Sequence, residues 1–218
     1  MTPAGPSSCL VCREPAPHRF VSVGAQDYWS CRRCDAVFLD PAQHPARQDE
    51  LAQYLSHEND PGDPRYRTFL ARLAVPLLQK LTAPARGLDY GCGPGPALAA
   101  MLREAGHEMA LYDPFFQPGR APLSGTYDFI VCTEAAEHFH RPADEFDRLE
   151  AMLRPGGWLG IMTGFMTGDV PFADWYYRKD PTHVVFYSES TLRFVADARG
   201  WSCEFPAPGI ALMHKHAA

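Results

Sequence analysis

The chain has no apolar run approaching the ~18 residues that a membrane-crossing helix needs, which argues against a helical span. Its first eight residues, Met1-Thr2-Pro3-Ala4-Gly5-Pro6-Ser7-Ser8, lack the basic and then apolar blocks of a secretory signal. Positive charge is also scarce. Lys and Arg number 20 against 26 Asp and Glu, and the net charge of −6 argues against nucleic acid as a partner. Two phosphate-binding signatures are missing too: there is no Gly-Lys-Ser/Thr, and the glycine cluster at 91–95 is spaced Gly-x-Gly-x-Gly, not the Gly-x-Gly-x-x-Gly of dinucleotide folds. These absences point to no membrane association and a cytoplasmic address. Nothing in the sequence signals an oligomeric state.

Hydrophobic residues make up 46% of the 218 positions, enough to bury a sizeable core and to exclude a disordered chain. Many of the prolines fall in the first 65 residues, so that stretch is expected to be loop-rich. Residues 1–8 read as a disordered leader. Within 9–40, short strands are expected at 20–23 and 28–30, and within 41–84, a linker or lid region, helices at about 47–55 and 64–81, the latter interrupted by Pro76. From Arg86 the pattern alternates: strands near 87–90, 109–112, 127–132 and 158–163, and helices near 96–105, 143–153 and 188–198. Ser188 and Gly200 stand at the cap positions of the last helix, and two final strands follow at 202–205 and 210–214. Residues 85–218 therefore predict an α/β fold: a Rossmann-like, doubly wound, mostly parallel sheet with ligands at the carboxyl ends of its strands.

Seven cysteines include two Cys-x-x-Cys pairs, Cys9/Cys12 and Cys31/Cys34, separated by eighteen residues. In a chain without a secretory signal thiols stay reduced, and this spacing points to metal before disulfides. Four thiolates suit a closed tetrahedral structural zinc, which supplies folding energy that a unit of about thirty residues lacks. The competing reading is two unmetallated pairs. Cys92, Cys132 and Cys203 read as packing residues, and His18 as a ligand only if a cysteine drops out.

The glycine cluster Gly91-Cys92-Gly93-Pro94-Gly95 follows a strand and opens a helix, so its backbone can approach a ligand closely. Asp89, two places before Gly91, would repel a pyrophosphate and suits a cationic ligand. Asp113 ends the second strand, where a carboxylate can accept bonds from both hydroxyls of a ribose. A glycine-rich turn without a ligand is the alternative.

Four ordered segments, Leu88 to Gly95, Asp113, Tyr127 to Phe139 and Leu153 to Leu159, give the sequence a resemblance to class I S-adenosylmethionine-dependent methyltransferases, similar to the ubiquinone-biosynthesis type. The resemblance implies S-adenosylmethionine as cofactor and S-adenosylhomocysteine as product. It implies that Asp89 and the backbone of Gly91, Cys92, Gly93 and Gly95 face the methionine end, that Asp113 binds the ribose, and that Thr133 and Glu134 line the opening beneath the sulfonium. The N-terminal module resembles zinc ribbons that precede some methyltransferase domains. One departure is plain: only fourteen residues separate Asp113 from Asp128, too few for the family's usual helix and third strand. The adenine-contacting acid of that strand has no equivalent, and Phe115 and Phe116 are either adenine-packing or core and lid residues.

The segment from Trp175 to Tyr187 follows the fifth strand and is expected over the strand ends. It contains His183, a candidate general base or a structural histidine bonded to loop backbone. Glu137-His138 is expected to fix the loop after the fourth parallel strand. His57-Glu58-Asn59-Asp60 and Tyr66 fall in the lid region, and His214 and His216 in a tail. The resemblance implies methyl transfer to a small acceptor such as a sugar, phenol or quinol-like metabolite. The alternatives are an RNA methyltransferase and a non-catalytic adaptor retaining the fold.

Overall fold

The computed structural model describes residues 5–56, 60–82 and 84–217. Residues 1–4 of the expected leader and His57, Glu58 and Asn59 lie outside the described residues. In chain order the elements are β1 (His18–Val23), β2 (Gln26–Ser30), β3 (Val37–Leu39), α1 (Arg47–Tyr54), α2 (Pro64–Leu78), β4 (Arg86–Tyr90), α3 (Ala97–Glu104) and β5 (Glu108–Tyr112). They continue with β6 (Tyr127–Thr133), α4 (Pro142–Met152), β7 (Leu153–Met162), β8 (Val185–Phe186), α5 (Glu189–Asp197), β9 (Ser202–Ala207) and β10 (Ile210–His214). Among the described residues no helix is long and apolar enough to cross a membrane.

A six-stranded sheet runs in the order β5-β4-β6-β7-β10-β9. The first four strands pair in parallel, whereas β10 is antiparallel to both β7 and β9. The sheet is thus mixed but mostly parallel, as expected: three of its five pairings are parallel, and only β10 runs against the other strands. The cause is local: Pro208 and Gly209, the latter at φ +77°, turn β9 straight back into β10 with no helix between them.

Two-residue alternation builds both faces of this sheet. Along β6, Ile130 and Cys132 enter one core while Phe129 and Val131 enter the other. Along β10 the same holds for Ala211 and Met213 against Ile210 and Leu212. Leu70, Leu73 and Leu77 of α2 and Leu98 and Leu102 of α3 cover one face, and Phe146 and Leu149 of α4 with Leu192 and Val195 of α5 cover the other. Each such side chain contributes ~1.5–3 kcal/mol relative to exposure. Asp63 caps α2 by accepting from Arg65 N at 2.9 Å, and Pro76 falls within the last turn, so the helix stays continuous to Leu78. Ser188 and Thr191 form a reciprocal cap on α5.

The N-terminal strands form a second, four-stranded sheet in the order β1-β2-β3-β8. Its last strand is donated by the segment after β7: Val37 pairs with Phe186 and Phe38 with Val185. Neither β3 nor β8 was expected from the sequence. The cysteine module and the main sheet share one continuous core, in which Cys9, Cys31, Val37 and Phe38 are buried with Phe146, Val184 and Tyr187.

Candidate functional site

The turn after β4 is dictated by crowding and backbone shape. Gly91 (φ +82°) and Gly93 (φ +62°) occupy the left-handed region, and a Cβ at Gly91 would stand 2.5 Å from that of Ala135. Gly91 N and Cys92 N both donate to Tyr112 O, at 2.8 and 3.2 Å, which anchors the turn to the end of β5.

Asp113 follows β5 and organises the same region. Its Oδ2 accepts from Gly93 N at 3.0 Å, and its Oδ1 accepts from Phe115 N and Phe116 N at 2.8 and 2.9 Å. Residues 113–117 then fold back on themselves, with Asp113 and Gln117 exchanging backbone bonds at 3.1 Å. This tight turn fills the short connection between β5 and β6, and β5 is the sheet's edge. Phe115 carries the Arg47 guanidinium 4.1 Å over its ring, while Arg47 donates to Pro114 O at 2.6 Å.

Around this turn lies a cavity of about 840 Å³. Asp89, Gly91, Cys92, Gly93, Gly95, Asp113, Thr133, Glu134 and His183 all line it, so the expected cofactor and acceptor residues are brought to one place. Phe115, Phe116 and Tyr66 line it as well, and α1 adds Arg47, Glu50, Gln53 and Tyr54, which the sequence did not single out. The walls are acidic. Asp89, Asp113, Glu134, Glu137, Glu145 and Asp180 face Arg47 and Lys179.

Electrostatics follow from burial. Desolvation, reinforced by Asp113, pushes the Asp89 carboxyl up to about 7 against a lowering backbone hydrogen bond at Ala99. Burial and then the Glu137 charge push Glu134 up to about 8. Glu134 is also held at φ +47°, a strained conformation for a residue with a Cβ. Burial pushes the Cys92 thiol up to about 12, which makes it a packing group and not a nucleophile. Thr133 Oγ1 is buried, and among the described residues it has no hydrogen-bond partner. An orphaned hydroxyl beside acidic walls fits a polar, positively charged ligand.

On the opposite wall, Tyr177 and Thr163 donate their hydroxyls to Glu137, at 2.5 Å to Oε1 and 2.8 Å to Oε2. Val184 N donates to Glu137 O at 2.9 Å, so the loop after β6 is tied to the segment that carries His183. His183 is 9% exposed, and its Nδ1 lies 2.6 Å from Tyr177 O. Burial lowers its pKa below the ordinary histidine value. His214 is no tail residue: it belongs to β10 and stacks on Trp158 at 4.5 Å. His18 bonds Ser30 Oγ at 2.9 Å and does not belong to the converging ligand groups of the four cysteines.

The four module cysteines converge. Cys9 and Cys34 sulfurs lie 3.6 Å apart, those of Cys12 and Cys31 3.5 Å apart, and all four lie within 4.8 Å of one another. Sulfurs bound to one tetrahedral ion at ~2.3 Å would stand ~3.8 Å apart, whereas a disulfide needs ~2.05 Å. Two matching turns present them. Arg13 N donates to Cys9 O at 3.0 Å with Arg13 at φ +60°, and Asp35 N donates to Cys31 O at 2.9 Å with Asp35 at φ +56°. The Cys34 thiol lowers Cys9, whereas Cys34 is raised by Cys9 and Cys12 by burial, so the thiols share their protons unevenly. The donor set fits a closed metal site.

The family described as "Methyltransferase domain" matches residues 33–204, well over half of the chain. No curated protein matches the sequence. Among solved structures, the chain is similar to an O-methyltransferase family protein from Burkholderia thailandensis, at 18% identity and a TM-score of 0.47, covering 78% of this chain and 68% of that one. It is also similar to 1,6-didemethyltoxoflavin-N1-methyltransferase from the same organism, at 17% identity and a TM-score of 0.47, covering 91% and 99%. A third is an amino pentose methyltransferase from Micromonospora echinaspora, at 15% identity and a TM-score of 0.46, covering 79% and 98%.

Proposed function

We propose that the chain, which belongs to the methyltransferase-domain family, is an S-adenosylmethionine-dependent enzyme whose acceptor is a small molecule such as a sugar, phenol or quinol-like metabolite. The observation that carries this reading is one cavity of about 840 Å³ that both the glycine turn and the His183 segment line. That volume lies in the upper part of the usual range for small-ligand sites, room for a cofactor and a small acceptor together. Its acidic walls oppose a polyanion such as RNA.

When bound, the cofactor supplies an electrophilic methyl carbon on a sulfonium sulfur. The chain's own residues do the rest. Asp89 and Glu134 give the cavity a carboxylate floor suited to positive charge, and Thr133 offers a hydroxyl with no other partner. Asp113 keeps one lone pair of Oδ2 for a ribose hydroxyl after its three backbone bonds. With Nδ1 of His183 tied to the Tyr177 carbonyl, only Nε2 is left to act on the acceptor. We read the cysteine cluster as a structural zinc ribbon and the enzyme as cytoplasmic.

Calorimetric titration with S-adenosylhomocysteine tests the cofactor half. Micromolar binding is expected, weakened by ~1–3 kcal/mol in Asp113→Asn, since an amide leaves backbone donors unmatched. Well-folded protein that binds nothing would overturn the reading and leave an adaptor. His183→Ala should keep cofactor affinity while turnover falls ~10²-fold or more. Unchanged turnover would remove His183 from the site's chemistry.

A further inference from the structure

Glu137, His138 and His183 form a second cluster of ligand-type groups, apart from the cysteines. One ligand atom of each lies within 4.8 Å of the other two, and the two imidazole rings meet edge to face at 4.7 Å. The residues come from separate parts of the chain, the turn after β6 and the segment before β8, and all three line the cavity.

Both imidazoles are held alike. His183 Nδ1 lies 2.6 Å from Tyr177 O, and His138 Nδ1 lies 3.0 Å from Thr182 O. A carbonyl oxygen only accepts, so each Nδ1 carries a hydrogen and donates it. In the neutral ring Nε2 is then the nitrogen with a lone pair. That tautomer, fixed by a backbone carbonyl behind the ring, is the support that metal-binding histidines receive. His138 Nε2 faces the carboxylate, 4.0 Å from Glu137 Oε1.

Glu137 is 0% exposed. The hydroxyls of Thr163 and Tyr177 each donate to one of its oxygens, which orients the carboxylate and leaves further lone pairs. Among the described residues no lysine or arginine pairs with it, and Glu134 adds a second buried carboxylate that shares the Tyr177 hydroxyl at 3.4 Å. Two buried carboxyl groups that share one hydroxyl donor make a seat in which a cation stabilises the charged form of both.

Resting on the methyltransferase reading, we propose that Glu137, His138 and His183 hold a divalent metal ion at the acceptor end of the cavity, distinct from the ion of the cysteine module. One carboxylate and two imidazoles suit borderline to hard ions such as Mn²⁺, Fe²⁺, Co²⁺ or Zn²⁺, not the soft ions that thiolates select. Three protein ligands leave coordination positions open toward the cavity, where an oxygen of the acceptor fits. The assignment occupies Nε2 of His183, so this residue acts on the acceptor through the ion, and the loss of turnover expected for His183→Ala follows in either role.

The test uses full-length protein carrying one equivalent of zinc, so that the thiolates are filled, titrated with Mn²⁺ while the free-ion electron paramagnetic resonance signal is followed. Cofactor affinity is measured on the same samples with S-adenosylhomocysteine. One Mn²⁺ per chain is expected, with affinity lowered ~10-fold or more in Glu137→Gln and in His183→Asn, and S-adenosylhomocysteine binding retained in both. Using two variants from different segments guards against loss of fold in one. Protein that binds S-adenosylhomocysteine but takes up no Mn²⁺, or variants that take it up as wild type does, would overturn the metal site and leave the methyltransferase reading intact. Ligand-dependent uptake without S-adenosylhomocysteine binding would keep the metal site and overturn the cofactor reading.

Discussion

Asp89 shows how one buried side chain links folding stability to pH. It is 3% exposed, and its carboxyl rises from 3.8 to about 7 on folding because burial disfavours the charge. A group with a raised folded pKa contributes stability that is present below its unfolded value and lost as pH rises through the folded one. The melting temperature of cofactor-free protein should therefore fall between about pH 4 and pH 7. Asp89→Asn should flatten that part of the profile, and identical slopes for the two proteins, followed by circular dichroism, would count against the burial account. Asp89, the glycines and Asp113 were legible because chemistry and spacing coincide in eight consecutive residues and one strand end. The three backbone donors on Asp113 were not, because they exist only once residues 113–117 turn back. Glu137-His138 was legible as a loop anchor, but its approach to His183 joins positions more than forty residues apart.

At the scale of elements, long periodic segments were readable and short ones were not. Strands β3 and β8 have three and two residues, too few to carry an alternation, and each exists by pairing with the other. That pairing has a functional side. Leu39 N donates to Val184 O at 2.8 Å, one residue from His183, so the cysteine module braces the acceptor wall. Removing the proposed zinc with a chelator, or making Cys34→Ser, should lower the melting temperature by several degrees, since each kcal/mol shifts it by ~2–4 °C in a chain of this size. It should also raise the acceptor KM ~10-fold or more through misplacement of the wall, with little change in S-adenosylhomocysteine affinity. Equal losses at both ends would mean that the brace serves the whole fold.

For the whole molecule, the shared core decides how the protein unfolds. Spacing and composition divide the chain into a cysteine module and an α/β domain, yet Cys9, Phe38, Phe146 and Tyr187 sit in one cluster. Calorimetric melting of metal-loaded protein should give one cooperative transition, with calorimetric and van't Hoff enthalpies equal. Two separable transitions would show that the module folds independently. The position of α1 has a mechanical consequence. At one end Arg47 grips the turn after Asp113, and at the other Gln53 donates to Asp180 at 3.1 Å within the segment that carries His183. The helix thus spans the cavity as a strut: moving it as a rigid body strains both contacts together, whereas truncating one side chain releases one end alone.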